Sequence, residues 1–218
     1  FLDKYEREKY QPLLLTFGLG MLSALPALGM QILASKLGLD PLENIWFLLL
    51  DVFIIVAFTE ELVKIVMLLV YPYGRPFFNE PMDGIVYAIM TGMGFAAVEN
   101  VMYAYNFGIE TVMVRAFTAV PAHAIFAVFM GYFLGLAKFH PASKRRLIAG
   151  GFGLAVFIHG LYDFFILQQY YDWLMAFGLV TILIGGYLSW LLIKDHRDNS
   201  PFKVMVESDR SMEEANEP

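Results

Sequence analysis

The chain has 218 residues, is 58% apolar before its 18 glycines are counted, is only 17% charged, and carries a formal net charge of −6. Soluble domains average about 45–50% apolar and about 25% charged, and a domain of this size cannot hide so much apolar surface in one core. With a mean hydropathy of +0.58, the composition excludes a soluble globular domain, a coiled coil and a disordered chain, and the negative charge excludes nucleic acid as a partner. What remains is an all-α, polytopic integral membrane helix bundle whose surroundings are the lipid bilayer. Cysteine is absent, which removes disulfides, a thiolate nucleophile and cysteine zinc sites.

The chain opens on a polar segment, Asp3-Lys4-Tyr5-Glu6-Arg7-Glu8-Lys9, with no cleavable signal ahead of the first apolar run. A natural start carries Met, whereas the first residue is Phe1, so an upstream segment is expected. Six apolar stretches follow, at about 11–34, 45–71, 82–105, 111–137, 146–168 and 172–194. Each supplies the roughly 20 residues that a helix needs to cross about 30 Å of hydrocarbon. None shows the two-residue alternation of a membrane barrel strand. Turn residues punctuate the connections, as at Asp40-Pro41, Tyr71-Pro72-Tyr73-Gly74 and His140-Pro141. The division predicted is a membrane-embedded domain over 1–194 and an acidic, disordered tail over 195–218.

Lysine and arginine placement orients the bundle. With six spans, Lys4, Arg7, Lys9, Arg75, Lys138, Lys144, Arg145, Arg146, Lys194, Arg197, Lys203 and Arg210 share one side, and Lys36 alone lies on the other. The N-terminal segment, the even loops and the C-terminal tail are therefore expected in the cytoplasm. Lys64 and Arg115 fall inside spans, Arg115 near an outer end where snorkelling accounts for it.

Charged side chains near a bilayer centre cost several kcal/mol, roughly 2.5–3.5 on insertion scales, so their presence needs a reason. The second span carries Glu60, Glu61 and Lys64; the third, Glu99 and Asn100; the fourth, His123; the fifth, His159 and Asp163. At 1.5 Å per residue, Glu60, His123 and His159 lie roughly 16–21 Å from the cytoplasmic end, with Glu99 and Asp163 near about 26 Å. Facing lipid, none has a partner, so the four helices are expected to bring them together. Within a helix, Lys64 can reach either glutamate, and Asp163 stands four residues from His159 on one face.

This inventory permits hydrolysis. A glutamate can take a proton from water and return it to a leaving amine, while Asn100 and an imidazole donate to the developing oxyanion. Ser23, Ser35 and Ser189 lie away from the cluster, so no serine nucleophile competes. A metal version is the close alternative, with His123, His159 and Glu99 or Glu60 as zinc ligands around an open water position.

At these residues the chain resembles a known family. Glu60-Glu61-x-x-Lys64, Phe95-x-x-x-Glu99-Asn100, His123 and His159-x-x-x-Asp163 are similar to the four motifs of the PrsW family of intramembrane proteases, itself related to the CAAX prenyl endopeptidase/Abi superfamily of glutamic-type membrane proteases. The resemblance covers nearly the whole chain. It implies that 1–194 is a protease domain in a bacterial inner membrane, which cleaves a single-span protein such as an anti-sigma factor. It implies Glu60 and Glu61 as the essential pair, one activating water, with His123 and His159 binding water or the oxyanion. Lys64, Glu99, Asn100 and Asp163 support them, and no cofactor is required. The family usually has a further N-terminal span. The CAAX-type patterns EExxxR and FxxxH are not reproduced: Lys64 stands one position earlier, and Glu99 takes the place of the histidine.

Plainer readings stand beside this one. Glu60, Glu61 and Lys64 also suit a buried structural ion pair, although two acids and one base leave charge unbalanced. Intramembrane acids and histidines also build proton or ion paths in transporters, but those commonly show paired repeats or broken helices, and neither is visible here.

Overall fold

The computed structural model describes residues 5–39 and 44–203, and every regular element among them is helical. In chain order these are α1 (Tyr10–Lys36), α2 (Ile45–Leu50), a π-helical segment (Asp51–Ala57), α3 (Phe58–Val70), α4 (Pro81–Phe107), α5 (Ile109–Phe117), α6 (Ala119–Phe139), α7 (Lys144–Leu167) and α8 (Met175–Asp198). Single 3₁₀ turns at Pro72–Gly74, Pro141–Ser143 and Asp172–Leu174 precede α4, α7 and α8. The result is a polytopic membrane helix bundle.

Two of the six anticipated spans depart from a simple helix. Five helices are individually long and apolar enough to cross a membrane, namely α1, α4, α6, and α7 and α8 with their leading turns. The second stretch, 45–71, is instead a continuous helical run in three parts, with the π segment between α2 and α3. The fourth stretch, 111–137, divides at Thr118, whose φ of −123° and ψ of −73° leave the helical region. Ahead of that break, α5 follows Gly108 at φ +87° and buries none of its residues. Its outer residues Ile109, Met113, Val114 and Phe117 are exposed and apolar, so hydropathy alone runs α5 into α6.

Local signals set the helix starts. Glu80 and Asp83 form a reciprocal capping box around Pro81, which occupies the first turn of α4. Asn44 caps α2 by accepting from the backbone N–H groups of Trp46 and Phe47.

The bundle is built around α6, the most enclosed span, whereas α8 is the most exposed. Against it α4 runs antiparallel at backbone contact: a Cβ on Gly84 would lie 2.3 Å from the Gly131 carbonyl oxygen, and one on Gly135 2.1 Å from the Pro81 carbonyl oxygen. On the other face of α4, α1 runs in the same direction. A Cβ on Gly94 would meet the Phe17 carbonyl oxygen at 2.0 Å, and Ala24, Ala27, Val63 and Phe95 close the cluster beyond it. Small residues give helices this proximity where no hydrophobic drive separates protein from lipid.

The last span continues to Asp198, four residues past the boundary anticipated for the tail, and the Ser200 hydroxyl donates to Glu80 at 2.5 Å. Residues 204–218, including Arg210, lie outside the described residues, as do Asp3, Lys4 and the Asp40-Pro41 turn.

Candidate active site

The first turn of α3 carries Glu60 and Glu61, and the next turn Lys64; all three are buried. Adjacent helical positions point about 100° apart, so the two glutamates face different surroundings. Glu61 points into the bundle, where Oε1 lies 2.7 Å from Lys64 Nζ and 2.9 Å from His159 Nδ1. Glu60 faces a cavity of about 570 Å³ between α1, α3, α4, α5, α6 and α7. Its Oε1 accepts from Gln31 Nε2 at 3.1 Å. Its Oε2 is buried without a hydrogen bond, with Lys64 Nζ at 3.6 Å and His159 Nε2 at 3.9 Å.

The π segment stands immediately before this turn. Its wider coil changes the register between the entry of the run and α3. Phe53 packs against Gly160, where a Cβ would come within 2.7 Å of the ring, and Val56 lines the cavity. The absent side chain at position 160 is what lets the run approach α7 beside His159.

Both histidines reach the cluster. His159 Nε2 lies 3.2 Å from Asp163 Oδ2, one turn along α7, while Nδ1 faces Glu61. With a carboxylate oxygen at each ring nitrogen, both hydrogen bonds form only when the ring carries two protons. Phe126 stacks on His159 at 4.6 Å between centroids. His123 Nε2 lies 2.7 Å from Glu99 Oε2, and Nδ1 lies 3.4 Å from Lys64 Nζ. These partners assign His123 a neutral tautomer, which accepts from the ammonium and donates to the carboxylate.

Glu99 is held from its far side as well. Arg115 Nη2 lies 2.7 Å from Glu99 Oε2, its Nε donates to Asn100 Oδ1 at 2.8 Å, and its guanidinium covers the Tyr103 ring at 3.7 Å. Sequence reasoning assigned Arg115 to the membrane interface. The structure corrects this: the side chain turns inward from α5 and lines the cavity. Asn100 does not line the cavity; its oxygen is committed to Arg115. Gln31 was also missed. It stands at helical spacing with Ala24, Ala27 and Leu28, all lining the same cavity from α1, and a polar amide on that stripe was the available signal.

The charges do not balance. Glu60, Glu61, Glu99 and Asp163 face the cations of Lys64, Arg115 and the doubly protonated His159, leaving one carboxylate in excess. An oxygen of Glu61 also lacks a hydrogen bond, but Glu61 has cations at 2.7 and 2.9 Å, whereas those nearest Glu60 stand at 3.6 and 3.9 Å, so Glu60 is the carboxylate left over. A carboxylate so placed can accept a proton from water.

The donor set also suits a divalent ion. Glu60, Glu99 and His123 each offer one ligand atom, and these atoms lie within 4.8 Å of one another, in the carboxylate–imidazole chemistry that zinc accepts. His159, in the ligand set anticipated with His123 and Glu99, is instead engaged by Glu61 and Asp163. A metal here displaces the 2.7 Å contact between His123 Nε2 and Glu99 Oε2.

Known proteins resemble the chain through most of its length. A family model described as "PrsW family intramembrane metalloprotease" matches residues 8–192. Protease PrsW of Geobacillus kaustophilus is 34% identical over 167 residues, covering 77% of this chain and 72% of that protein. Protease PrsW of Bacillus subtilis is 36% identical over 180 residues, covering 79% and 77%, and that of Halalkalibacterium halodurans is 34% identical over 181 residues, covering 82% and 79%. No solved structure matches the chain. These relatives favour hydrolysis over the transporter alternative. From its polar entry segment to its last span, the chain belongs to the PrsW family and is a membrane-embedded peptidase.

Proposed function

We propose that the chain is a glutamic-type intramembrane endopeptidase, in which Glu60 activates a water molecule to hydrolyse a peptide bond of a single-span membrane protein such as an anti-sigma factor. The observation that supports this reading is that Glu60, and not Glu61, lines the cavity beside His159, with its Oε2 free of hydrogen bonds. In the reaction Glu60 takes one proton from water, the oxygen attacks the scissile carbonyl carbon, and the same proton passes to the departing amine as the C–N bond breaks. The positive charges of His159 and Lys64, both within 4 Å of Glu60 Oε2, stabilise the charge that develops on the carbonyl oxygen. Glu61 and Asp163 hold the His159 ring, and Glu99 holds His123. The glutamate-centred mechanism is the one that the resemblance to glutamic-type membrane proteases implies. The enzyme belongs in a bacterial cell membrane with its C-terminal tail in the cytoplasm.

A second reading has a specific observation behind it, the three ligand atoms of Glu60, Glu99 and His123. These residues would hold a zinc ion, which when bound supplies a Lewis acid and lowers the pKa of its water. The metal-free reading is supported by the direct bond between His123 and Glu99 and by the Lys64 ammonium within 3.6 Å of Glu60.

Purified protein in detergent, given a membrane-anchored peptide with a fluorescent reporter, tests both readings. Glu60→Gln is expected to lower turnover by about 10²–10⁴-fold, the contribution of a general base; wild-type turnover in this variant refutes the proposal. Stoichiometric zinc in active enzyme, with activity lost on stripping and regained with zinc alone, replaces the metal-free mechanism by the zinc one.

A further inference from the structure

We infer that Gln31, on α1, is a positioning residue for the reaction: its amide holds one oxygen of Glu60 so that the other faces the water. This rests on Glu60 being the base. The contact is 3.1 Å from Nε2 to Oε1 and joins helices 29 residues apart in sequence. It is the one hydrogen bond to the Glu60 carboxylate among the described residues, since Oε2 has none.

A carboxylate on three rotatable bonds is a poor base unless its plane is fixed. Two oxygens related by rotation present the same lone pairs in many orientations, and only one set points at a nucleophile poised for the carbonyl. Glu61 solves this problem with Lys64 and His159 on a single oxygen. Glu60 has no such neighbours at bonding distance, because Lys64 and His159 lie at 3.6 and 3.9 Å. The amide N–H of Gln31 supplies the missing constraint. A neutral donor serves better than a cation here, because it orients the base without cancelling the excess negative charge that makes it basic.

The packing of α1 maintains the arrangement. Ala24, Ala27, Leu28 and Gln31 form one stripe on the cavity wall, and the backbone contact at Gly94 keeps that stripe at its distance from α4. Gln31 is partly buried, at the end of the stripe where the wall turns from apolar to polar.

The test is steady-state cleavage of the same peptide by wild type, Gln31→Met and Gln31→Glu, with Glu60→Gln as the control. Met keeps length and volume but has no donor. Turnover by Gln31→Met is expected to fall about 10- to 100-fold, as for loss of a hydrogen bond to a charged group, while KM changes by less than about threefold because the cavity wall keeps its shape. Unchanged kcat, or a loss carried mainly by KM, overturns the inference. If Gln31→Met does not accumulate, Gln31→Glu decides, since it keeps the shape and sets a carboxylate against Glu60: a kcat loss of similar size supports the role and wild-type kcat refutes it. Activity retained in Glu60→Gln refutes the base itself, whereas an inactive Glu60→Gln beside a fully active Gln31→Met refutes only the role of Gln31.

Discussion

The two adjacent glutamates are expected to make opposite contributions to stability, which separates their roles without reference to turnover. Glu61 is 1% exposed and accepts from Lys64 at 2.7 Å and His159 at 2.9 Å. Replacing it by Gln strands two buried cations against a neutral amide. Breaking a buried pair in this way costs about 3–5 kcal/mol, and at about 2–4 °C per kcal/mol for a chain of this size the midpoint of unfolding drops by about 6–20 °C. Glu60 is 5% exposed, but its carboxylate receives one neutral hydrogen bond, and Oε2 none. Glu60→Gln removes a buried charge that no cation contacts at hydrogen-bond distance and leaves Lys64 bonded to Glu61, so its midpoint should match or exceed that of wild type. Thermal unfolding of the purified variants in one detergent, followed by tryptophan fluorescence, reads the contrast. Equal losses, or a larger loss for Glu60→Gln, refute the assignment of Glu61 as the paired carboxylate and Glu60 as the free one.

Two further perturbations probe the frame around the site. Gly131→Val places a branched side chain where even a lone Cβ would lie 2.4 Å from the Gly84 carbonyl oxygen and 2.8 Å from the Ala88 Cβ; forcing α4 and α6 apart is expected to cost at least about 1–3 kcal/mol and to lower thermal stability and turnover together. Arg115→Met leaves Glu99 with His123 as its remaining partner and takes the donor from Asn100, so cleavage should fall by about tenfold or more. Asn100→Leu, which removes only the hydrogen bond to Arg115, should have a smaller effect in the same cleavage assay.

What the sequence made legible was the set of groups that are costly in lipid. Glu60, Glu61, Lys64, Glu99, His123, His159 and Asp163 stand out because an apolar span tolerates such side chains only where they meet partners, and the structure brings these seven together. Gln31 gave only a weak signal for the complementary reason: an uncharged amide in an apolar helix breaks no strong rule, and its meaning depends on α1 lying against α3, which hydropathy does not encode. Arg115 was misplaced because the break at Thr118 is silent in hydropathy. Read as part of one long span, its position is an outer end; on a separate α5 after Gly108 at φ +87°, the side chain reaches back to Glu99. The same limit left open which glutamate meets the cavity, since that depends on the rotation of α3.

On the proposed mechanism, that rotation gives each of the two neighbouring glutamates a separate task. A single buried carboxylate beside Lys64 would be neutralised by it, giving a stable ion pair with little basicity, while one without a cation would be costly to bury. Splitting the tasks resolves the conflict. Glu61 takes the short contacts to Lys64 and His159, and the ammonium, already satisfied, remains 3.6 Å from Glu60. At that distance it still lowers the cost of the second charge without a hydrogen bond to it. The π segment and the bare backbone of Gly160 then set the register at which Glu60, rather than its neighbour, enters the cavity. On this account the order of the pair along α3 matters as much as its composition: the carboxylate at position 61 anchors the cations, and the one at position 60 is left available to water.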